Sequence, residues 1–301
     1  MKTRDWLLML ILSMIWGSAF MFIKIALREL SPFWLLYIRL IMAVIFMGGV
    51  CFLSGVKAPT TWRDWLSMGF LGVINTGLPF YLICWAQQHV DSSTASILNA
   101  TSPVFVMILA HFFTDDEKLT VSKVAGVLTG VAGIVAMVWP SLTNGIVLAG
   151  MAQVAILGAT FNYAVASIYA RRFRNLSSIM VTAVSLVGAL VFLSPGVFLS
   201  SYPDFSALKP LTWFAVAMLG LMCTGIAYII YFRIIASAGA TNALLVTLLI
   251  PVNALLLGNL ILAETLQFHS LAGMLLIFSG LLIIDGRLFR AISGQQALKQ
   301  N

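Results

Sequence analysis

The chain has 301 residues, 61% of them hydrophobic and only 9% charged, with a mean hydropathy of +1.02. Soluble domains run near ~45–50% apolar and ~25% charged, so there is too little polar surface here to cover a globule, and lipid must be the solvent for most side chains. This excludes a cytosolic Rossmann or barrel enzyme, a disordered chain and a secreted disulfide scaffold.

A spanning helix needs about 20 predominantly apolar residues, and the apolar runs here separate at charges, prolines and polar clusters. The first run, 5–27, follows a basic start (Lys2, Arg4). It exceeds the ~7–15 residues of a signal-peptide core, and no small-x-small cleavage site follows it, so it is read as a retained helix. Runs 32–54, 64–86, 92–113 and 121–139 complete a first group. Runs 145–169, 178–200, 211–233, 239–262 and 269–288 form a second. The expected fold is an all-α integral membrane protein of ten transmembrane helices, with a cytoplasmic tail over 291–301. Cys51, Cys84 and Cys223 lie inside apolar runs at no metal-site or C-x-x-C spacing, and read as small hydrophobes. No metal or cofactor is expected.

Orientation follows from lysine and arginine. With the N-terminus inside, the inner face gathers Lys2, Arg4, Lys57, Arg63, Lys118, Lys123, Arg171, Arg172, Arg174, Arg233, Arg287, Arg290 and Lys299. The outer face holds only Arg28 and Lys209, and Lys24 and Arg39 lie within helices. The bias predicts both termini in the cytoplasm. It also explains the net charge of +7 without nucleic acid as a partner.

The chain repeats itself. LGVINTGLPFYLICW from Leu71 resembles LGLMCTGIAYIIYFR from Leu219, placing Thr76-Gly77 on Thr224-Gly225 and Pro103 on Pro251. After a one-residue slip, Glu117 falls on Glu264, Ala125-Gly126 on Ala272-Gly273, and Gly133 on Gly280. Residues 1–140 and 145–290 thus read as two copies of a five-helix unit. Because five is odd, the copies enter the membrane with opposite orientation, a signature of secondary transporters whose site lies near the midplane between the repeats.

The ordered set of Trp16-Gly17, Phe20, Lys24, Ser31-Pro32, Arg39, Ser102-Pro103, Glu117 and Gly126, with Pro251, Glu264-Thr265-Leu266, Gly273 and Gly280 in the second copy, resembles the drug/metabolite transporter superfamily, specifically its ten-helix EamA-type members. Two departures stand out. Gly158-Ala159 stands near the place of Trp16-Gly17, and Ser185 falls roughly where Arg39 would have its partner. The resemblance implies an inner-membrane exporter of amino acids, their derivatives or toxic compounds.

Candidate site residues come from polar and aromatic groups at membrane depth. Pro103 and Pro251 read as mid-helix prolines that free the carbonyls of Asn99 and Thr247, and Pro79 does the same at Asn75. Such groups face either a water-filled cavity or their own kinked helix. Arg39, seven residues beyond Pro32, sits roughly 10 Å deep in a core of about 30 Å. It either pairs or snorkels structurally, or meets a substrate carboxylate. For the shallower Lys24, snorkelling is the simpler reading. Trp62, Trp65, Trp139 and Trp213 are belt anchors, while Trp16, Phe20, Tyr81, Trp85, Tyr163, Tyr228 and Tyr231 lie deeper. The expected substrate-binding set is Trp16, Phe20, Arg39, Asn75, Tyr81, Asn99, Asn162, Tyr163, Tyr228 and Thr247, on helices 1, 3, 4, 6, 8 and 9 together with Arg39. Gly77, Pro103, Gly225 and Pro251 are the bending points. Gly126, Gly130, Gly133, Gly273 and Gly280 serve internal packing or, equally, a homodimer interface.

Three classes of function compete. A secondary transporter of small polar or amphipathic metabolites leads, with amphipathic cations as the alternative cargo. A membrane-embedded enzyme would need a nucleophile–base pair, carboxylate pair or metal cluster that the sequence does not display. A selective channel would need filter-like rings that are also missing. With only His111 inside a span among the histidines, passive or exchange transport is expected ahead of proton antiport.

Overall fold

A computed structural model describes residues 3–113, 120–143, 147–238, 246–265 and 267–285. Glu117, Lys118, the start of the ninth predicted helix and the tail over 291–301 lie outside them. Within the described residues the chain is helical without strands, and helices α1 to α10 run in order. They are α1 (Thr3–Ala26), α2 (Pro32–Ser54), α3 (Trp62–Ala86), α4 (Ser92–Phe113), α5 (Val121–Thr143), α6 (Val147–Ala170), α7 (Ser178–Leu199), α8 (Pro210–Ala217, Met218–Ile226 and Ala227–Ala238 in succession), α9 (Val246–Leu262) and α10 (Phe268–Asp285). Eight of these are long and apolar enough to cross a membrane by length and composition, and the described parts of α9 and α10 are shorter apolar helices.

The pairings display the repeat. α1 packs on α8 and α9, as α6 packs on α3 and α4. α2 lies against α8 as α7 lies against α3, and α2–α7, α4–α9 and α5–α10 pair across the centre. Each of these contacts either has a mate in the other half or is its own mate. This is the arrangement of two inverted five-helix repeats.

Several boundaries differ from the sequence reading, each for a local reason. α7 breaks at Ser194-Pro195 before a short turn, Gly196–Leu199, because proline has no N–H to continue the ladder. α4 is interrupted at Ala100-Thr101, so Pro103 is not mid-helix but near the start of a second helical piece, Ser102–Phe113. Ser102 Oγ donates to the Asn99 carbonyl at 2.8 Å, which occupies the group the proline would have freed. Pro251 does lie inside its helix. α5 and α8 run beyond their expected ends, to Thr143 and Ala238.

α3 and α8 each pass through a π-helical stretch, Val73–Gly77 and Met218–Ile226. The two stretches coincide under the repeat. In α3 the widened turn ends before Pro79, whose missing N–H suits the change of ladder. α8 carries Ala227 at the equivalent place and makes the same deformation without proline. Helix contacts supply the common cause. A Cβ built on Gly72 would fall on the Ser185 carbonyl, and one on Gly220 would come to 2.9 Å of the Arg39 carbonyl and 2.7 Å of Met42 Cβ. Gly72 and Gly220 are repeat mates, so α3 meets α7 and α8 meets α2 backbone to backbone. The glycines of α5 and α10 form another such seam, where a Cβ built on Gly133 would come to 2.8 Å of the Gly273 carbonyl and one on Gly280 to 2.6 Å of that of Gly126. Within the chain these glycines pack α5 against α10.

Helices meet carboxylates at the end where α1 finishes, here termed the distal end. Glu264, just after α9, accepts from the N–H of Ser92 (2.9 Å) and Ser93 (3.2 Å) and from both hydroxyls (2.7 and 3.0 Å), capping α4 from the other repeat. Ala263 adopts φ 55° to turn Glu264 back. Glu29 does the converse, accepting from Lys209 N–H (2.9 Å) and Thr212 Oγ1 (2.6 Å) at the start of α8. Thr212 and the Lys209 N–H hold the Glu29 carboxyl below its ordinary range. Its stabilisation is therefore present near neutral pH and is lost as pH falls through that lowered value.

Gly72→Val, which must separate α3 from α7, is expected to cost at least the ~1–3 kcal/mol of an overpacked site, read as a lower thermal midpoint in detergent. Gly48→Ala, inside α2 with nothing within 4 Å of a built Cβ, is expected to leave that midpoint unchanged or raise it. The gap in midpoint between wild type and Glu29→Gln is expected to be widest near neutral pH and to close in acid.

Candidate functional site

The halves enclose a cavity of about 750 Å³. It reaches from Phe20, Ile23 and Ile83 to Arg174, Ser178 and Ala236, and so opens at the proximal end, where α1 begins. Of the expected substrate-binding residues, Trp16, Phe20, Arg39, Asn75, Asn99, Tyr163, Tyr228 and Thr247 line it. Two do not. Tyr81 is 36% exposed on the outer surface of α3, one helical step away from the lining residue Phe80. Asn162 folds back on its own helix, donating to the Gly158 carbonyl at 2.8 Å, as polar side chains do where no other partner is in reach.

Arg39 is the cavity's deep cation, 4% exposed. Its Nε donates to Thr224 Oγ1 at 3.1 Å, and its guanidinium lies 4.0 Å from the centre of the Phe80 ring. The π-helical stretch of α8 makes this possible. Thr224 spends its own proton on the Leu219 carbonyl, five residues back, at 2.8 Å, which leaves the hydroxyl oxygen to accept from Arg39. The neighbouring Cys223 carbonyl takes the Trp16 indole N–H at 3.2 Å. Arg39 thus neither snorkels nor forms an ion pair with any carboxylate among the described residues. A cation–π contact and one neutral acceptor replace only part of its hydration.

Aromatic groups form much of the remaining wall. Trp16 lies 5.4 Å from the Tyr231 ring, and Phe232 stacks at 6.1 Å on Tyr228. Tyr228 also receives Asn75 Nδ2 at 3.4 Å. The candidate bending residues do not line this chamber but stand within two residues of ones that do: Gly77 and Gly225 in the π-helical stretches, Pro251 within α9, and Pro103 beside the interruption of α4. Trp62, Trp65, Trp139 and Trp213 lie exposed towards helix ends.

The sequence reading missed α7. Ser178, Val181, Thr182 and Ser185 all line the cavity. The repeat held the signal, because Ser185 falls roughly opposite Arg39. The structure sharpens that equivalence, since Gly72 presses on the Ser185 carbonyl as Gly220 presses on that of Arg39.

At its distal end the cavity is shut. Lys24 is not snorkelling. Its Nζ donates to the Gln87 and Val90 carbonyls, both at 2.9 Å, and Gln87 Nε2 returns a bond to the Phe20 carbonyl at 3.0 Å. These bonds tie α1 to the end of α3, with Phe20, Ile23 and Ile83 below them. Beyond the tie is a vestibule of about 550 Å³ lined by Lys24, Arg28, Asp91 and Glu264. Burial, with the Glu264 charge beside it, pushes the Asp91 carboxyl up against the pull of Lys24. In repeat register, Ala166 and Ile235 take the places of Lys24 and Gln87, and both line the open proximal part of the cavity.

Thr224→Val removes the acceptor of Arg39 while keeping the side chain's shape. Leaving that buried cation less satisfied is expected to lower stability by about 1–3 kcal/mol, read as a fall in thermal midpoint without ligand.

Comparison with known proteins agrees with this architecture. The EamA-like transporter family matches residues 5–139 and 150–285. An uncharacterized transporter of Archaeoglobus fulgidus is 26% identical over 93% of this chain and 98% of its own. A probable amino-acid metabolite efflux pump of Salmonella typhimurium is 25% identical over 94% of this chain and 95% of its own. A solved crystal structure shares the fold with a TM-score of 0.65 at 18% identity, covering 94% of this chain and 98% of that one.

Proposed function

This chain belongs to the EamA-like transporter family, and from that premise we propose that it exports amino acids or related small metabolites across a bacterial inner membrane by alternating access. The buried Arg39 carries the reading. A guanidinium inside an aromatic cavity, with no carboxylate partner among the described residues, is complementary to a substrate carboxylate, which it can grip through two parallel N–H bonds. The name of the Salmonella relative supports the cargo class.

The basic ends of the helices argue for a cytoplasmic proximal face. The cavity seen open is then the loading side, and the tie at Lys24 and Gln87 closes the far side. Rocking of one repeat against the other, bending at Gly77, Gly225, Pro103 and Pro251, exchanges the two. Asp, Glu and His are missing from the described cavity wall, which favours exchange or uniport over proton antiport.

The aromatic wall of Trp16, Tyr228, Tyr231 and Phe232 supports a second reading, efflux of amphipathic cations. Arg39 opposes it, since a cation would have to bind beside an uncompensated positive charge.

A thermal-shift panel on detergent-purified protein separates the readings, because a ligand of the folded state raises the midpoint by mass action. Free amino acids are expected to shift it and their methyl esters not to. Arg39→Ala is expected to weaken binding by about 1.5–3 kcal/mol, roughly 10–150-fold, and to abolish counterflow in proteoliposomes. Shifts with quaternary ammonium compounds alone would overturn the amino-acid reading.

A further inference from the structure

The cavity holds two polar oxygens that the fold leaves unused. Asn99 Oδ1 and Ser185 Oγ are buried and have no hydrogen-bond partner, although both residues line the cavity. Ser185 is only 5% exposed. Leaving such a group unpaired costs about what a lost hydrogen bond costs, yet neither oxygen takes a local remedy. The Asn99 carbonyl already receives Ser102 Oγ. On Ser185's own helix, Thr182 donates its hydroxyl to the Ser178 carbonyl, whereas Ser185 makes no such bond.

These two oxygens belong to opposite halves, on α4 and α7. Ser185 also occupies the pseudo-symmetric place of Arg39, as the matched contacts at Gly72 and Gly220 show. One wall of the chamber therefore offers a fixed cation, and its mate a neutral acceptor. Asn99 adds a second acceptor, and both side chains line the chamber, the asparagine amide on a broad torsion that can re-aim its oxygen.

We infer that Asn99 and Ser185 form the subsite that receives the hydrogen-bond donors of the substrate, its ammonium group, while Arg39 receives the carboxylate. The inference rests on the carboxylate reading above and goes beyond it. It assigns selection of a zwitterion over a plain organic anion to two neutral residues. Neutral acceptors suit that task. A carboxylate in the same chamber would compete with substrate for Arg39, whereas amide and hydroxyl oxygens accept from an ammonium without cancelling the guanidinium. A lone cation gains nothing from Arg39, and a lone anion leaves both oxygens unpaired, so each binds more weakly than the ligand carrying both groups.

The test uses purified full-length protein with L-leucine and L-phenylalanine, each beside the acid lacking only the α-amino group, and measures affinity by thermal shift and counterflow competition. Wild type is expected to prefer the amino acid at least about tenfold. Ser185→Ala and Asn99→Leu are expected to erase most of that preference by weakening the amino acid and not the deaminated acid. Ser185→Ala, which deletes an unpaired group, leaves the ligand-free midpoint unchanged or higher, so loss of preference in that variant is not loss of fold. Equal binding of amino acid and deaminated acid by wild type, or undiminished preference in both variants, overturns the subsite and leaves the carboxylate reading standing. If no carboxylate ligand of either kind binds, the carboxylate reading fails and this inference falls with it.

Discussion

Two backbone contacts organise the molecule. Where Gly72 meets the Ser185 carbonyl and Gly220 meets that of Arg39, helices approach more closely than any side chain allows. In lipid, where apolar side chains gain little by leaving solvent, such close packing is a main source of helix association. The contacts also fix function. They set α2 and α7 at the depth where Arg39 and Ser185 reach the chamber, and they lie beside the π-helical stretches of α3 and α8. The α8 stretch leaves the hydroxyl oxygen of Thr224 to accept from Arg39, and its Cys223 carbonyl accepts from Trp16. Packing, backbone irregularity and the deep cation are one arrangement.

Much of this was legible in the residues. Run length and charge bias gave the helices, and the spacing of Thr76-Gly77 against Thr224-Gly225 gave the repeat. The depth of Arg39 marked the chamber. Legibility failed where a side chain had two local options of similar cost. Asn162 could face the chamber or its own carbonyl, and composition does not weigh these. Tyr81 and Phe80 differ by one helical step, about 100° of rotation, finer than an apolar run resolves. Pro103 marked an irregularity correctly but not its form, because a proline fits both a kink and a fresh helix start. Ser185 was overlooked because serine is unremarkable in a membrane helix until its hydroxyl is known to lack a partner.

The distal end shows how charge can serve lipid-embedded helices without entering the lipid. Glu29 caps a helix of the second repeat, and Glu264 caps a helix of the first. Each carboxylate satisfies orphan donors that would otherwise be exposed at a membrane boundary. The exchange is reciprocal, so neither repeat has all its helix ends satisfied without the other.

The tie at Lys24 and Gln87 has a consequence of a different kind. Its repeat mates, Ala166 and Ile235, cannot form such bonds, so in the alternating-access cycle proposed above the two ways of closing the chamber are chemically unlike and their energies unequal. Three hydrogen bonds at about 1 kcal/mol each would bias the empty carrier by roughly a hundredfold. Such a bias does not decide which way cargo flows over many cycles, since concentrations on the two sides decide that. It decides where the carrier waits. An idle molecule parked with one face shut presents its binding groups to a single compartment, and solutes on the other side compete for it only in the small fraction of time it spends turned around.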